Sequence, residues 1–294
     1  MYKRYIMHTL SNEILEIKIA TRGAELQSIY NRHTQLEYMW GAGAEWPKKS
    51  PVLFPVVGGL QNNNYTFNNK TYTLSRHGFA REMDFELINQ TNNSLTFLLK
   101  ENEATLLKYP FAFSFYVKYT LHTNNVHITF IVENHTEKKL PFSVGAHPAF
   151  AVPLVENTVY EDYFLEFDKA EVAPLWPLSA EGLIESKSTP FFNNERKLPL
   201  TKDLFLKDAL VFKNLASKKI SIKSDRTPHG LTVSFDGFPY MGIWAAKNAN
   251  FVCIEPWCGI ADSITATGNL ENKEGIQTLN KGESFERSFG IEVF

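Results

Sequence analysis

The sequence predicts an all-β protein built as a large antiparallel β-sandwich, and three observations lead to this class. Alternation of apolar and polar residues with a period of two dominates the chain of 294 residues. Aromatic residues, which favour strands, make up 14% of it. Helical periodicity is nearly absent, and clusters of turn-forming residues separate the alternating runs.

The clearest alternation lies in the second quarter of the chain, with six apolar positions in step: Phe111, Phe113, Phe115, Val117, Tyr119 and Leu121. A second alternation, from Val126 to Val132, follows a turn at residues 123–125. One buried face and one wetter face are typical of strands in an antiparallel sheet. The two runs therefore predict a long hairpin.

Shorter alternating runs predict further strands on both sides of this hairpin: Leu15/Ile17/Ile19, Leu95/Phe97/Leu99, Ile220/Ile222, Leu231/Val233/Phe235 and Phe289/Ile291/Val293. Asparagine pairs and a Lys-Gly-Glu sequence mark turns between them. One exception is a short helical turn predicted at residues 202–206, where Thr201 could act as the cap.

The strand signals continue from before residue 20 to the C-terminus without a change in composition. This continuity predicts a single domain over residues 1–294, because one sandwich can close all of these strands into packed sheets. The formal net charge is −2, from 30 basic and 32 acidic residues. Neither nucleic acid nor an anionic membrane is expected as a partner, because both need a basic surface.

Two cysteines, Cys253 and Cys258, are too few for a disulfide framework. Their offset of five residues puts them on opposite faces of a strand, so we expect buried free thiols and no metal pair. The first eight residues contain basic side chains without a following apolar run, and no run of ~18 apolar residues occurs. These features lead us to expect a cytoplasmic protein.

Four segments interrupt the strand rhythm with glycine, proline, histidine and aromatic residues: 50–59, 76–81, 145–150 and 253–259. His147 is the only histidine, and Glu255 the only glutamate, that precedes a proline. A following proline holds a residue in extended geometry, which would suit a pre-positioned acid–base pair. Two polar residues with satisfied hydrogen bonds at strand ends are the alternative.

His77 and Arg81 could bind an oxygen-rich ligand, or they could belong to a surface loop held by salt bridges. Other catalytic patterns are missing from the sequence: it has no G-x-S-x-G elbow, no phosphate loop and no dinucleotide fingerprint. No His/Cys cluster has zinc spacing, so no metal is expected. The remaining internal histidines are predicted to lie on the surface: His33, His122, His127, His135 and His229.

Taken together and in this order, the motifs resemble the aldose 1-epimerase (galactose mutarotase-like) family, over essentially the whole chain. They look closest to its LacX-like branch, which is also similar to hexose-6-phosphate mutarotases. The matching pieces are 21–26, 53–55, 77–81, 147–148, 208–210 and 255–257. The family fold is a large antiparallel β-sandwich, in agreement with the periodicity.

The resemblance implies a cofactor-free interconversion of the α and β anomers of a hexose or hexose phosphate. By this resemblance Glu255 would be the base and His147 the acid, with the roles reversed on ring closure. His77 would donate a hydrogen bond near the ring oxygen, and Asp208 would accept from sugar hydroxyls. Arg81 and Trp257 would orient the sugar, Trp257 by stacking.

A carboxylate close to an imidazolium is expected to raise the histidine pKa and to lower the glutamate pKa. The sequence therefore predicts a charged Glu255–His147 pair.

One position departs from the family pattern. Many relatives carry an arginine where this chain has Gly59, and that arginine contacts sugar oxygens. Arg76 or Arg81 could replace it, the sugar specificity could differ, or activity could be weak. A non-catalytic carbohydrate-binding or regulatory protein is therefore the alternative function, and a sandwich without any ligand is a third. The sequence does not indicate an oligomeric state.

Overall fold

Strands dominate the structure, a computed structural model that describes residues 6–294. The basic segment 1–5, on which part of the localisation prediction depends, lies outside the described residues. The strands are β1 (Met7–Ser11), β2 (Leu15–Ala20), β3 (Glu25–Asn31), β4 (Leu36–Glu37), β5 (Val52–Leu53), β6 (Asn64–Phe67), β7 (Lys70–Thr73), β8 (Glu86–Gln90), β9 (Ser94–Lys100), β10 (Phe113–His122), β11 (Asn125–Asn134), β12 (Leu140–Phe142), β13 (Val144–Ala146), β14 (Ala149–Ala151), β15 (Tyr163–Glu171), β16 (Glu195–Pro199), β17 (Leu210–Lys213), β18 (Lys219–Ser224), β19 (Thr227–Ser234), β20 (Tyr240–Trp244), β21 (Phe251–Cys258), β22 (Gln277–Leu279) and β23 (Ser284–Val293).

Three larger sheets carry the architecture. A nine-stranded sheet has the order β16-β15-β18-β19-β23-β11-β10-β9-β8. A six-stranded sheet has the order β17-β20-β21-β13-β5, with β14 also paired to β21, and a four-stranded sheet runs β1-β2-β3-β4. Two small pairs, β6-β7 and β12-β22, complete the set. The paired strands are antiparallel, which confirms the predicted all-β class.

The predicted hairpin forms the centre of the nine-stranded sheet. β10 and β11 pair from Phe113 opposite Asn134 to His122 opposite Asn125. The apolar positions of both runs are buried, as their alternation requires. The other predicted runs form β2, β9, β18, β19 and β23.

Aromatic side chains join the sheets. Phe54, which follows β5, stacks on Phe115 of β10 with 4.5 Å between the ring centroids. On the four-stranded side, the hydroxyl of Tyr119 donates to the carbonyl of Ala24. The buried core extends from Leu10 to Val293. The assignment of all 294 residues to one domain stays a prediction.

The predicted helical turn at residues 202–206 is wrong. Successive turns occur there, and each is closed by a bond between residues three apart, such as Leu204 N–H to Thr201 O at 3.2 Å. The short helix α1 lies instead at Glu103–Leu106, where the side chains of Asn102 and Thr105 cap each other's backbone. Short 3₁₀ turns lie at Gln61–Asn63, Ala80–Glu82, Tyr160–Asp162 and Leu270–Asn272. Within residues 6–294, no helix has the length and apolarity needed to cross a membrane.

Both cysteines are buried and free, as predicted. The internal histidines expected on the surface are all at least partly exposed.

Candidate active site

A cleft with a volume of about 310 Å³ opens beside the six-stranded sheet. It brings together all six residues that the sequence indicated: His77, Arg81, His147, Asp208, Glu255 and Trp257. Strand β21 supplies Glu255 and Trp257, and loops supply the others. Residues far apart in sequence therefore meet at one place.

The strand register explains why His147 and Glu255 meet. On one side of the His-Pro step, Gly145 of β13 pairs with Trp257; on the other side, Ala149 of β14 pairs with Cys253. Continued through the gap, this register places His147 opposite Glu255. Each is followed by a proline, which has no N–H to donate to a regular ladder.

The two side chains are in contact on the floor of the cleft. His147 Nε2 lies 3.3 Å from Glu255 Oε2, and the residues are only 8% and 1% exposed. Trp46 stacks on the imidazole at 5.0 Å between centroids, and Trp244 meets it edge-on at 5.6 Å. Among the described residues, His147 Nδ1 and Glu255 Oε2 have no hydrogen-bond partner. The rings hold the histidine, and polar atoms remain free for a ligand.

The pKa shifts of His147 and Glu255 contradict the prediction of a charged pair. Burial lowers the pKa of His147 to about 3, and the guanidiniums of Arg81 and Arg76 contribute to this shift in the same direction. Burial, together with the nearby Asp208, raises the pKa of Glu255 well above its ordinary value. Loss of hydration opposes both charged forms, and this effect exceeds the attraction between the pair. Both pKa shifts therefore favour a neutral imidazole beside a protonated carboxyl over the charged pair.

His77 is fixed by the loop on which it lies. The Gly58 N–H donates to His77 Nδ1 at 3.1 Å, and the His77 N–H donates to the Gly58 carbonyl at 2.9 Å. Burial holds the pKa of His77 well below its ordinary range, so the ring is neutral. Because Nδ1 accepts a bond, the proton lies on Nε2. The next residue must be glycine: Gly78 has φ +70°, and a Cβ there would collide with the Phe54 carbonyl.

Two guanidiniums lie along one wall of the cleft. Arg76 donates to the Glu181 carbonyl at 3.2 Å and lies 3.9 Å from the Asp208 carboxylate. It rests against Gly182, where any side chain would occupy the same space. Arg81 donates to the Arg76 carbonyl at 2.8 Å, and its buried Nε has no partner within the described part of the chain.

Gly59 lies behind this wall rather than in the cleft lining. A Cβ at Gly59 would be 3.4 Å from the Gly182 carbonyl, an ordinary contact. A side chain at position 59 would therefore point to the same glycine that Arg76 touches.

Asp208 and Trp257 complete the predicted set. Asp208 ends a turn with φ 91°, and its carboxylate accepts the N–H of Ala209 at 2.7 Å. Trp257 is only 5% exposed, and its indole N–H is buried without a partner in the described structure. The indole offers the cleft a free donor, whereas little of its ring face is open.

Sequence reasoning missed several residues of the cleft. Trp46 and Trp244 come from a loop and a strand end that carry none of the matching motifs, and Leu178 and Ile184 come from the long β15–β16 loop. The one available signal was Trp46 itself, a tryptophan in the polar segment Trp46-Pro47-Lys48-Lys49.

Cys253 lies two residues before Glu255 on β21, so their side chains share a face. Ligand atoms of His147, Cys253 and Glu255 all lie within 4.8 Å of one another. No cluster of metal ligands was expected from the sequence, because that expectation considered only spacing along the chain. Spacing does not show that His147 approaches Cys253 and Glu255 in the fold.

Similarity to known proteins agrees with this architecture. The aldose 1-epimerase family model matches residues 7–292. The chromosomal LacX protein of Lactococcus lactis subsp. lactis is 36% identical, over 97% of this chain and 98% of the relative. A galactose mutarotase related enzyme from Lactobacillus acidophilus has a TM-score of 0.92 and 37% identity, covering 98% of this chain and 97% of that one. A galactose mutarotase-like protein from Lactobacillus casei has a TM-score of 0.92 and 30% identity, covering 98% and 100%. The chain therefore belongs to the aldose 1-epimerase family.

Proposed function

We propose that this protein is a mutarotase, which interconverts the α and β anomers of a hexose or hexose phosphate. The observation that carries the proposal is the contact between His147 Nε2 and Glu255 Oε2, 3.3 Å apart on the buried floor of the cleft. The reaction needs one group to remove a proton from the C1 hydroxyl and another to protonate the ring oxygen. Since both oxygens are bonded to C1, a contacting acid–base pair can reach both.

In the proposed reaction Glu255 takes the C1 hydroxyl proton while His147 gives a proton to the ring oxygen. The bond between C1 and the ring oxygen breaks, and C1 becomes an aldehyde. Rotation about C1–C2 presents the other face of the aldehyde. On closure His147 takes the proton from the attacking hydroxyl and Glu255 returns one to the carbonyl oxygen, which restores the starting state. Because only protons move, no redox step is involved.

The pair needs to hold only one proton in total. Burial favours the neutral form, which is also the form that exists while the sugar ring is open. The charged form that opens the ring would gain from sugar hydroxyls donating to the carboxylate. Arg76 favours the carboxylate by lowering the pKa of Glu255, but it also lowers the pKa of His147, so the sugar hydroxyls are the main source of this gain. Substrate binding is therefore expected to prepare the pair for ring opening.

The other cleft residues are proposed to hold the sugar. His77 Nε2–H would donate near the ring oxygen, and the Asp208 carboxylate would accept from hydroxyls. The buried Trp257 indole N–H and Arg81 Nε are unpartnered donors that sugar oxygens could satisfy. The aromatic face for stacking comes more readily from Trp46, which already lies against His147.

We propose that Arg76 replaces the arginine that relatives carry at the position of Gly59. Its guanidinium lies against Gly182, towards which a side chain at position 59 would also point. Arg76 and Arg81 on the same wall would also suit a phosphate group. A hexose phosphate is therefore kept beside the free hexose as a candidate substrate.

Anomer exchange measured by NMR tests the proposal, with glucose, galactose and their 6-phosphates as substrates. The wild type is expected to exchange at least one of them faster than buffer alone, and Glu255→Gln is expected to lose most of this acceleration. Undiminished exchange in Glu255→Gln would contradict the role of the base. The four rates also rank the substrates.

A non-catalytic sugar-binding function is the second candidate, and Gly59 is the observation that favours it. It predicts no acceleration with any of the four sugars, together with ligand-induced shifts in the protein signals. Restoring the family arginine with Gly59→Arg would then test whether the missing guanidinium is the reason.

A further inference from the structure

The cluster of His147, Cys253 and Glu255 contains one side chain that the proposed reaction does not use. The backbone of Cys253 is held by Ala149 on one side and Trp244 on the other, and its thiol lies close to the acid–base pair. The thiol is fully buried, and burial raises its pKa well above the ordinary value. Without a further partner it stays a thiol and is not a nucleophile.

The three side chains offer one nitrogen, one sulfur and one oxygen, a donor set that suits Zn²⁺. Their ligand atoms already lie within 4.8 Å of one another. Around a tetrahedral zinc, such atoms lie roughly 3.3–3.8 Å apart, given bonds of about 2.0–2.3 Å. The His147–Glu255 distance of 3.3 Å already fits, and the thiol needs to approach by no more than about 1.5 Å.

Two further features point to a ligand at this position. Glu255 Oε2, which lies 3.3 Å from His147 Nε2, is buried without a hydrogen-bond partner among residues 6–294. A thiolate and a carboxylate would together neutralise a divalent cation, so the loaded site would carry no net charge in its buried surroundings.

We propose that His147, Cys253 and Glu255 form a binding site for a zinc-class divalent cation, and that the bound cation inhibits the protein by occupying its acid–base pair. A metal bound to both residues removes the lone pairs that the sugar protons require. Because His147 and Glu255 line the cleft whereas Cys253 lies behind them, the cation would enter by the substrate's route. Cation and sugar are therefore expected to compete.

The inhibition part of this proposal rests on the proposed mutarotase activity, whereas cation binding does not. The first experiment titrates ZnCl₂ into the anomer-exchange assay with wild type, Cys253→Ala and Cys258→Ala. Wild type should be inhibited reversibly, with recovery on addition of EDTA. Cys253→Ala should keep its activity and need at least about tenfold more zinc for the same inhibition.

Cys258→Ala is the matched control, because Cys258 lies on the same strand but on its other face. It should be inhibited like the wild type. Equal sensitivity of Cys253→Ala and wild type would overturn the proposal, as would wild type that zinc does not inhibit. If Cys253→Ala fails to fold, Cys253→Ser keeps the size of the side chain and replaces it in the assay.

Cobalt binding gives a second readout that needs no enzymatic activity. Co²⁺ added to the wild type should produce a thiolate-to-cobalt charge-transfer band, which Cys258→Ala keeps and Cys253→Ser loses. A band that disappears with Cys258→Ala instead would place the cation elsewhere. With the band present and no anomer exchange in any protein, the cation site stands and the mutarotase proposal fails.

Discussion

Two buried regions of this protein differ in whether their polar atoms have hydrogen-bond partners. In the aromatic core between the sheets, tyrosine hydroxyls are satisfied: Tyr109 donates to the Pro141 carbonyl at 2.8 Å and Tyr119 to the Ala24 carbonyl at 2.6 Å. On the cleft floor and wall, buried atoms of four residues lack partners: Arg81, His147, Glu255 and Trp257.

The difference identifies the buried polar atoms that, on the proposed function, a bound sugar would satisfy. A buried polar atom without a hydrogen bond costs about 1–3 kcal/mol, so a fold that selects only for stability removes such atoms. The tyrosine hydroxyls of the core follow this rule, and of the eight buried side-chain atoms without partners in the described residues, four belong to residues that line the cleft. The cleft retains unsatisfied donors and acceptors in one place, which is expected where a polar ligand supplies the missing partners.

The largest effect is expected from His147, the proposed acid. His147→Asn should reduce the rate of anomer exchange by about 10²–10⁴-fold, because one proton-transfer group is lost. Its thermal stability should fall only modestly, because the loss is limited to the contacts of the imidazole with Trp46, Trp244 and Glu255. Exposed His33→Asn is the control and should match the wild type in both measurements. A large loss of thermal stability with His147→Asn would instead favour a structural role.

The reverse pattern is expected in the core. Phe115→Ala should lower the free energy of unfolding by about 3–5 kcal/mol, because Phe115 is fully buried and packs on Phe54, Phe85 and Phe130. Urea denaturation measures this loss. Exchange activity per folded molecule should persist, and a loss below about 1 kcal/mol would contradict the role assigned to this cluster.

The pH dependence of stability is a further difference between the cleft and the aromatic core. Because its pKa is raised, Glu255 binds its proton more tightly in the folded protein than in the unfolded chain. Its contribution to the free energy of unfolding is therefore complete below the ordinary pKa of 4.5. This contribution declines as the pH rises towards the pKa of the folded state. Glutamine does not titrate. Glu255→Gln should therefore gain stability relative to wild type above pH 4.5, by up to about 1.4 kcal/mol per pH unit.

Urea denaturation at about pH 5 and about pH 8 measures this trend. Exposed Glu13→Gln is the control for the substitution itself. A stability difference between Glu255→Gln and wild type that stays constant with pH would show that the carboxyl is not held protonated by its burial.

The smallest effect concerns a single satisfied hydroxyl. Tyr119→Phe removes the hydrogen bond to the Ala24 carbonyl and should cost about 1 kcal/mol of unfolding free energy. Urea denaturation measures it, and anomer exchange should be unchanged. An unchanged free energy of unfolding would mean that this hydrogen bond contributes little to stability. The core and the cleft would then differ less in the stability of their polar atoms than the hydrogen bonds indicate.

The fold could be predicted well from the sequence because many strands bury one face and turn the other towards solvent, which produces an alternating pattern. The alternation from Phe111 to Leu121 follows directly from that geometry, and so does the burial observed there. The order of the sheets was beyond such reasoning: β23 pairs with β11 across more than 150 residues, and no local pattern encodes that pairing. The helix at 103–106 was not predicted, because a single turn is too short to show helical periodicity in the sequence.

The candidate site was predictable for a different reason. The prolines after His147 and Glu255 mark both residues, and the family motifs supplied the other four. The pKa directions were not predictable, because they depend on how completely the protein excludes water from both groups. The aromatic contacts of His147 and the approach of Cys253 likewise depend on packing across the cleft rather than on spacing along the chain.

The placement of Glu255 in the middle of β21 has a consequence for how this cleft can change. The carboxyl belongs to a strand held on both flanks, by β20 on one side and by β13 and β14 on the other. The residues around it at 176–184 and 205–209 belong to loops, whose sequences can vary without disturbing a sheet. On the proposed function, new sugar preferences can therefore arise, by natural drift or in a designed library, from the rim alone while the His147–Glu255 pair is inherited intact.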